Sequence, residues 1–297
     1  MTKLTQGRQV SPKQGDEGRR TSGWVRTTIL VAGFAVAMLL TNSIASAVHG
    51  PVAALIVGPL LAVAMIALYV WVGRRVERRR VTDLARTSAA RHVLIGAGIG
   101  LMLSAATVGV LALFGAYTIT GWGSITGALA VAGTMCAIAV SEEVFFRGVV
   151  FRLLQGRWGA GLALGVSAIL FGLVHLVNPG ASLWGAVAIA IEAGLLLGAA
   201  YLATGSLWLA FGLHFGWNVA TVGIFGTVTS GAEARDSLVT AVTSGPGWFS
   251  GGSFGPEGSV IAIAVCSVTT ALLLCVAHRR GRLSLCRGHQ SGHAPRA

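Results

Sequence analysis

The sequence predicts an all-α protein, a polytopic transmembrane helix bundle of about eight spans. Three observations predict it. Hydrophobic residues make up 54% of the 297 and charged residues only 11%. Apolar runs of about 20 residues recur along the chain, each long enough for a hydrocarbon core roughly 30 Å thick. The cations cluster in alternate connections between those runs. The runs are continuous, without strand-like alternation, so they argue for helices, which satisfy every backbone group inside lipid.

Taken in order, 1–26 is a polar, basic segment, and the spans lie near 27–48, 51–73, 93–117, 127–151, 159–177, 182–204, 206–228 and 258–277. Ala45-Ser46-Ala47 resembles a signal-peptidase site. The apolar stretch before it is long for a signal sequence, so the first run reads as an uncleaved helix. Arg19-Arg20 lacks the surroundings of a twin-arginine signal. Residues 27–123 then form an N-terminal group of helices and 124–228 a polar-interrupted core. A Gly/Ser-rich outer loop at 229–257 reads as mobile, 258–277 as the last span and 278–297 as a basic, disordered tail.

Six of the 22 Lys+Arg precede residue 27, seven lie between Arg74 and Arg91, three are Arg147, Arg152 and Arg157, and five follow Val276. Only Arg235 falls in a connection on the other side. The positive-inside bias makes the cation-rich side cytoplasmic, with both termini there. The net charge of +12 then reflects topology and anionic headgroups, with no nucleic-acid partner implied. Cys136, Cys266 and Cys275 lie within spans and Cys286 in the tail, so they read as small packing residues and not as a disulfide framework. The sequence has no CxxC, Walker loop or dinucleotide fingerprint. The 42 glycines are spread through the spans, where small residues let helices approach closely.

The informative exception to this apolar pattern is Glu142-Glu143-Val144-Phe145-Phe146-Arg147. A charge facing lipid costs roughly 2.5–3.5 kcal/mol even on the mildest insertion scale, so three in six residues require compensation. Glu143 and Arg147 share a helix face and can pair. Glu142 lies about 100° around the helix and stays free to point into a cavity. Phe171 and His175 share a face on the fifth span, His214 and Asn218 on the seventh, and Glu192 interrupts the sixth.

Counting residues from the turns near Arg157 and Gly205 places Glu142, His175, Glu192, His214 and Asn218 in one slab about 14 Å thick. His214 fits that slab least well. Each residue has a plainer reading. A lone histidine can bond a backbone carbonyl, Glu143–Arg147 can be a structural ion pair, and Glu192 can serve packing. Phe145, Phe146, Trp184, Trp208 and Trp217 read as lipid or core contacts.

Together the set fits water-driven attack on a carbonyl. A carboxylate with a histidine can hold and deprotonate water, and a second histidine with an amide can donate to the oxyanion. Glu142, His175 and His214 are also the ligand types of a catalytic zinc site, although HExxH is absent. No serine or cysteine stands beside a base in a nucleophile motif.

Glu142-Glu143-x-x-x-Arg147, Phe171-x-x-x-His175 and His214-x-x-x-Asn218, in that order, resemble the CAAX prenyl protease and bacteriocin-processing family of intramembrane proteases. Gly205-Ser206-Leu207-Trp208 also looks like that family, and the resemblance covers roughly 135–225. It implies an endopeptidase in which Glu142 and His175 activate water, Glu143 and Arg147 hold the site together, and His214 with Asn218 stabilises the oxyanion. The resemblance implies either zinc or a metal-free, glutamate-based mechanism. The expected partners are the lipid bilayer and a membrane-anchored protein or peptide substrate. The expected location is a bacterial inner membrane, since 20 arginines stand against two lysines. The rival reading is a non-catalytic membrane protein (an immunity factor, a scaffold or a transporter), although no internal repeat supports a transporter.

Overall fold

The computed structural model describes residues 15–283. Lys3, Lys13, Cys286 and the rest of both terminal segments lie outside the described residues. Among the described residues, eight helices are long and apolar enough to cross a membrane. They are α1 (Gly15–Ala47), α2 (Pro51–Arg75), α3 (Ala89–Leu113), α4 (Ile125–Trp158), α5 (Ala160–Val177), α6 (Leu183–Thr204), α7 (Leu207–Ile224) and α8 (Val260–Arg279). The predicted spans correspond to them one for one. The fourth continues seven residues past its expected end, and the third stops at Leu113 where a strand follows.

Local signals set the helix starts. Ser124, Ser182, Ser206 and Ser259 cap α4, α6, α7 and α8, each hydroxyl accepting from a backbone N–H of the first turn. Such a cap is worth about 1 kcal/mol. Gly205 ends α6 at φ 65°, the left-handed conformation that glycine reaches without strain. Gly205-Ser206 is therefore a stop joined to a start.

Three helices contain π-helical stretches: Val144–Phe151 in α4, Ala190–Leu195 in α6 and Val219–Ile224 in α7. Such wide turns are rare and cluster at functional sites. Each of these adjoins or contains a polar motif residue.

α4, α6 and α7 form the interior, with 72%, 72% and 78% of their apolar windows buried, against 22–28% for α1, α2, α3 and α8. Small residues set the closest approach. A methyl carbon at Gly96 would stand 2.4 Å from the Leu209 carbonyl oxygen, and one at Gly100 2.1 Å from that of Leu213. From the opposite side, Gly212 would meet the Val93 carbonyl oxygen at 2.2 Å and Gly216 that of Ala97 at 2.2 Å. These four glycines hold α3 and α7 backbone to backbone, running in the same direction, with His214 between two of them.

The 229–257 connection is not the loose loop expected. Residues Val239–Thr243 form strand β2, which pairs antiparallel with β1 (Tyr117–Trp122). Short helical turns at Gly247–Ser250, Gly252–Phe254 and Pro256–Gly258 follow. The buried Glu257 carboxylate gathers four donors: Trp217 Nε1 at 2.6 Å, Thr229 Oγ1 at 2.5 Å, and the Ser230 backbone N–H and hydroxyl at 2.7 Å each. Buried polar contacts of this kind fix a glycine-rich segment whose composition alone suggested mobility.

Candidate active site

The site is built outward from α4. Glu143 and Arg147 are both 0% exposed, and Arg147 Nη1 donates to Glu143 Oε1 at 2.6 Å. The second terminal nitrogen of Arg147 reaches across to α6, donating to the Gly194 carbonyl at 3.0 Å and that of Ala193 at 3.4 Å. Those carbonyls belong to the π stretch, where the ordinary helical ladder is interrupted. The guanidinium carbon also lies 4.7 Å from the Phe171 ring centre, a cation–π contact from α5. Arg147 therefore ties α4, α5 and α6 together around one buried carboxylate.

α7 adds His214. Its Nδ1 lies 3.0 Å from Glu143 Oε1, and its Nε2 lies 3.9 Å from Glu142 Oε2. The first is a hydrogen bond in which the imidazole N–H donates to the carboxylate. The second is too long for a direct one. The sequence assigned Glu143 to Arg147 alone; in the fold it serves His214 as well.

Glu142 is held from α1. Asn42 Nδ2 donates to Glu142 Oε1 at 3.0 Å, while Asn42 Oδ1 accepts from the Ser141 hydroxyl at 2.7 Å. Glu142 Oε2 has no hydrogen-bond partner among the described residues. As expected, this carboxylate stands outside the Arg147 pairing.

His175 closes α5. Its Nδ1 lies 2.6 Å from the Phe171 carbonyl oxygen. A carbonyl only accepts, so the proton is on Nδ1, and in the neutral ring Nε2 is the atom with the lone pair. The plainer reading of this histidine, a bond to backbone, is thus observed. Its ring nonetheless faces the same space as Glu142.

That space is a cavity of about 360 Å³ whose walls include Glu142, His175, His214, Asn218, Asn42 and Arg235. Of the five residues that counting placed in one slab, Glu142, His175, His214 and Asn218 share this cavity and Glu192 does not. His214 lies beside both glutamates of α4, closer than a count at 1.5 Å per residue implied. The π stretches lie on the paths to Glu142 and Glu192 but not on the path to His214. Wide turns take more residues per ångström, so the two glutamates sit nearer their turns than counted.

Glu192 lies behind this cavity. It is 1% exposed, its Oε1 is 3.7 Å from Cys266 Sγ, and its Oε2 has no partner among the described residues. It lines a second, water-sized space of about 20 Å³ with His214, Asn218, Trp217, Ser230 and Glu257. Cys266 thus has a polar contact beyond its packing role. Trp217 likewise does more than pack, since its indole N–H holds Glu257.

Among the described residues no three His, Cys, Asp or Glu side chains gather as a metal-ligating group. Glu142, His175 and His214 share a wall, with Nδ1 of each histidine engaged and Nε2 left open, as in metal-ligating histidines, but as arranged the three side chains do not gather closely enough to hold one ion. Sequence reading missed Asn42 and Glu257. Asn42 carried a weak signal, a polar triplet Thr41-Asn42-Ser43 inside the first apolar run. Glu257 stood in a Gly-Pro-Glu-Gly turn that nothing linked to the site.

Residues 124–220 match the Rce1-like family model, described as type II CAAX prenyl endopeptidase Rce1-like. This is the family that the three motifs resemble, and the matched stretch begins at the α4 cap and contains all seven residues named in those motifs. No curated protein and no solved structure matches the chain.

Proposed function

We propose that this chain, whose 124–220 segment carries a prenyl-endopeptidase match, is an intramembrane endopeptidase that hydrolyses a peptide bond of a membrane-associated protein or peptide with carboxylate-activated water. The observation that carries the reading is that Glu142, whose Oε2 has no hydrogen-bond partner among the described residues, lines a cavity together with His175, His214 and Asn218.

Water between Glu142 and His175 would meet two acceptors, the carboxylate oxygen and the His175 lone pair. Glu142 takes the proton as the water oxygen bonds to the peptide carbonyl carbon. The oxyanion that forms accepts from the Asn218 amide, and from His214 Nε2 when that nitrogen carries a proton. Glu143 suits His214 to this role by fixing its Nδ1 proton and orientation. When the C–N bond breaks, Glu142 returns its proton to the leaving amine, so water is added across the bond without any other reactant. Glu143 and Arg147 hold four helices in register and do not touch substrate.

Glu142→Ala and His175→Ala should each abolish cleavage of a membrane-tethered reporter while leaving the amount inserted unchanged. Comparing the peptides of membranes carrying wild-type and Glu142→Ala protein would identify the substrate as the species cut only by the former. Identical peptide populations would assign the chain to a non-catalytic role.

A further inference from the structure

Arg235 is anomalous twice over. It is the single Lys or Arg on the cation-poor side of the predicted topology, where the positive-inside bias disfavours it. The fold then places it in the wall of the catalytic cavity. Apart from the two histidines, the only other charged residue in that wall is Glu142. Among the described residues no carboxylate lies within ion-pair distance of it, although Glu233 and Asp236 are its near neighbours in sequence.

Its backbone is held on both sides. Upstream, the Ala232 N–H donates to the Thr229 carbonyl at 2.8 Å, Gly231 exchanges backbone bonds with Gly180 and Phe254, and Asn178 Nδ2 donates to the Ser230 carbonyl at 2.7 Å. Downstream, the Leu238 N–H donates to the Gly223 carbonyl at 2.7 Å and the Ser124 N–H to that of Ser237 at 2.6 Å. The cation is therefore presented by a fixed segment. Burial pushes its pKa down and Glu233 pushes it back up; an arginine so shifted stays charged. Glu233 offsets part of that desolvation from a distance, and no described carboxylate pairs with the guanidinium directly.

We infer that Arg235 is a specificity-determining residue of this cavity that takes a carboxylate of the peptide to be cut, its free C terminus or an Asp or Glu side chain. The inference rests on the peptidase reading and names the chemistry of its substrate. A planar guanidinium matches a carboxylate with two parallel hydrogen bonds. With Arg235 and Glu142 both in the wall, a peptide anchored by its carboxylate at the arginine would lay a bond some residues away beside the glutamate.

The test measures binding to full-length protein in lipid nanodiscs, carrying Glu142→Gln so that nothing is cut. Three degenerate pools of apolar peptides are offered: one with free C termini and no acidic side chains, one amidated and without acidic side chains, and one amidated with a single Asp. At least one carboxylate-bearing pool should be retained about tenfold better than the carboxylate-free pool, and which one identifies the source. Arg235→Gln should bring it to the carboxylate-free level, and Arg235→Lys should keep part of the advantage. Equal retention of all three pools, including no retention, overturns the inference, as does an advantage that survives Arg235→Gln. A carboxylate advantage in a protein without Glu142-dependent cleavage would instead remove the peptidase reading and leave the anion site standing.

Discussion

The interior helices α4, α6 and α7 and the outer helices α1, α2, α3 and α8 show that, in this membrane protein, apolar sequence and burial part company. The outer helices turn Leu55, Leu60, Leu94, Met102 and Leu272 outward, as lipid requires. The interior helices hide Glu142, Glu143, Arg147, Glu192 and His214 at 8% exposure or less. In water the core is the apolar part. Here the surroundings are the apolar part, and the interior is the place where ionisable groups find partners. The two regions are therefore sensitive to different changes: the interior to the loss of either partner of a buried charged pair, the lipid-facing surface to little beyond its apolar character.

The largest effect should come from breaking the interior pair. Arg147→Met leaves Glu143 buried without its cation and removes the link to the Ala193 and Gly194 carbonyls. Losing one partner of a buried pair costs about 3–5 kcal/mol, measurable as a lowered unfolding midpoint in detergent. Leu60→Ala on the outer surface should stay within about 0.5 kcal/mol. Equal shifts in the two variants would erase the contrast between the regions.

Glu257→Gln should come next. The segment that roofs the cavity depends on four donors to this carboxylate, and hydrogen bonds to a charged group are worth roughly 1.5–3 kcal/mol each. The amide keeps one acceptor, so a loss of about 2 kcal/mol is expected. Hydrogen exchange should quicken in 229–237 and not in α2. Uniform exchange across both would mean that Glu257 supports the whole bundle and not this roof.

How much of this was legible follows the same division. Spans were readable because lipid imposes length and hydropathy on every helix alike, and Glu143–Arg147 was readable because four residues make one turn. What the sequence hid depends on contacts between distant segments. A period of 3.6 gives no warning of the wide turns at Val144–Phe151 and Ala190–Leu195, which shorten the rise between each glutamate and its turn. Gly/Ser composition suggested a mobile 229–257 loop because the one residue that organises it, Glu257, draws its donors from Trp217, Thr229 and Ser230. Counting cations found Arg235 as an exception without saying why.

Asn42 tests whether the outer helices are only a wrapping. The family match begins at residue 124, yet the amide that orients Glu142 comes from α1, 100 residues upstream. Because a carboxylate oxygen only accepts, the amide presents its N–H to Glu142 Oε1, and that bond leaves Oε2 without a partner among the described residues, 3.9 Å from His214 Nε2. Asn42→Ala should lower kcat about tenfold with KM little changed, since it removes orientation of the base and no contact with substrate. The unfolding midpoint should move by less than in Glu257→Gln. Asn42→Asp should cost more activity than Asn42→Ala, because it sets a second carboxylate against the first. If both variants turn over as wild type, Glu142 is oriented by the interior helices alone and α1 is a lipid-facing cover.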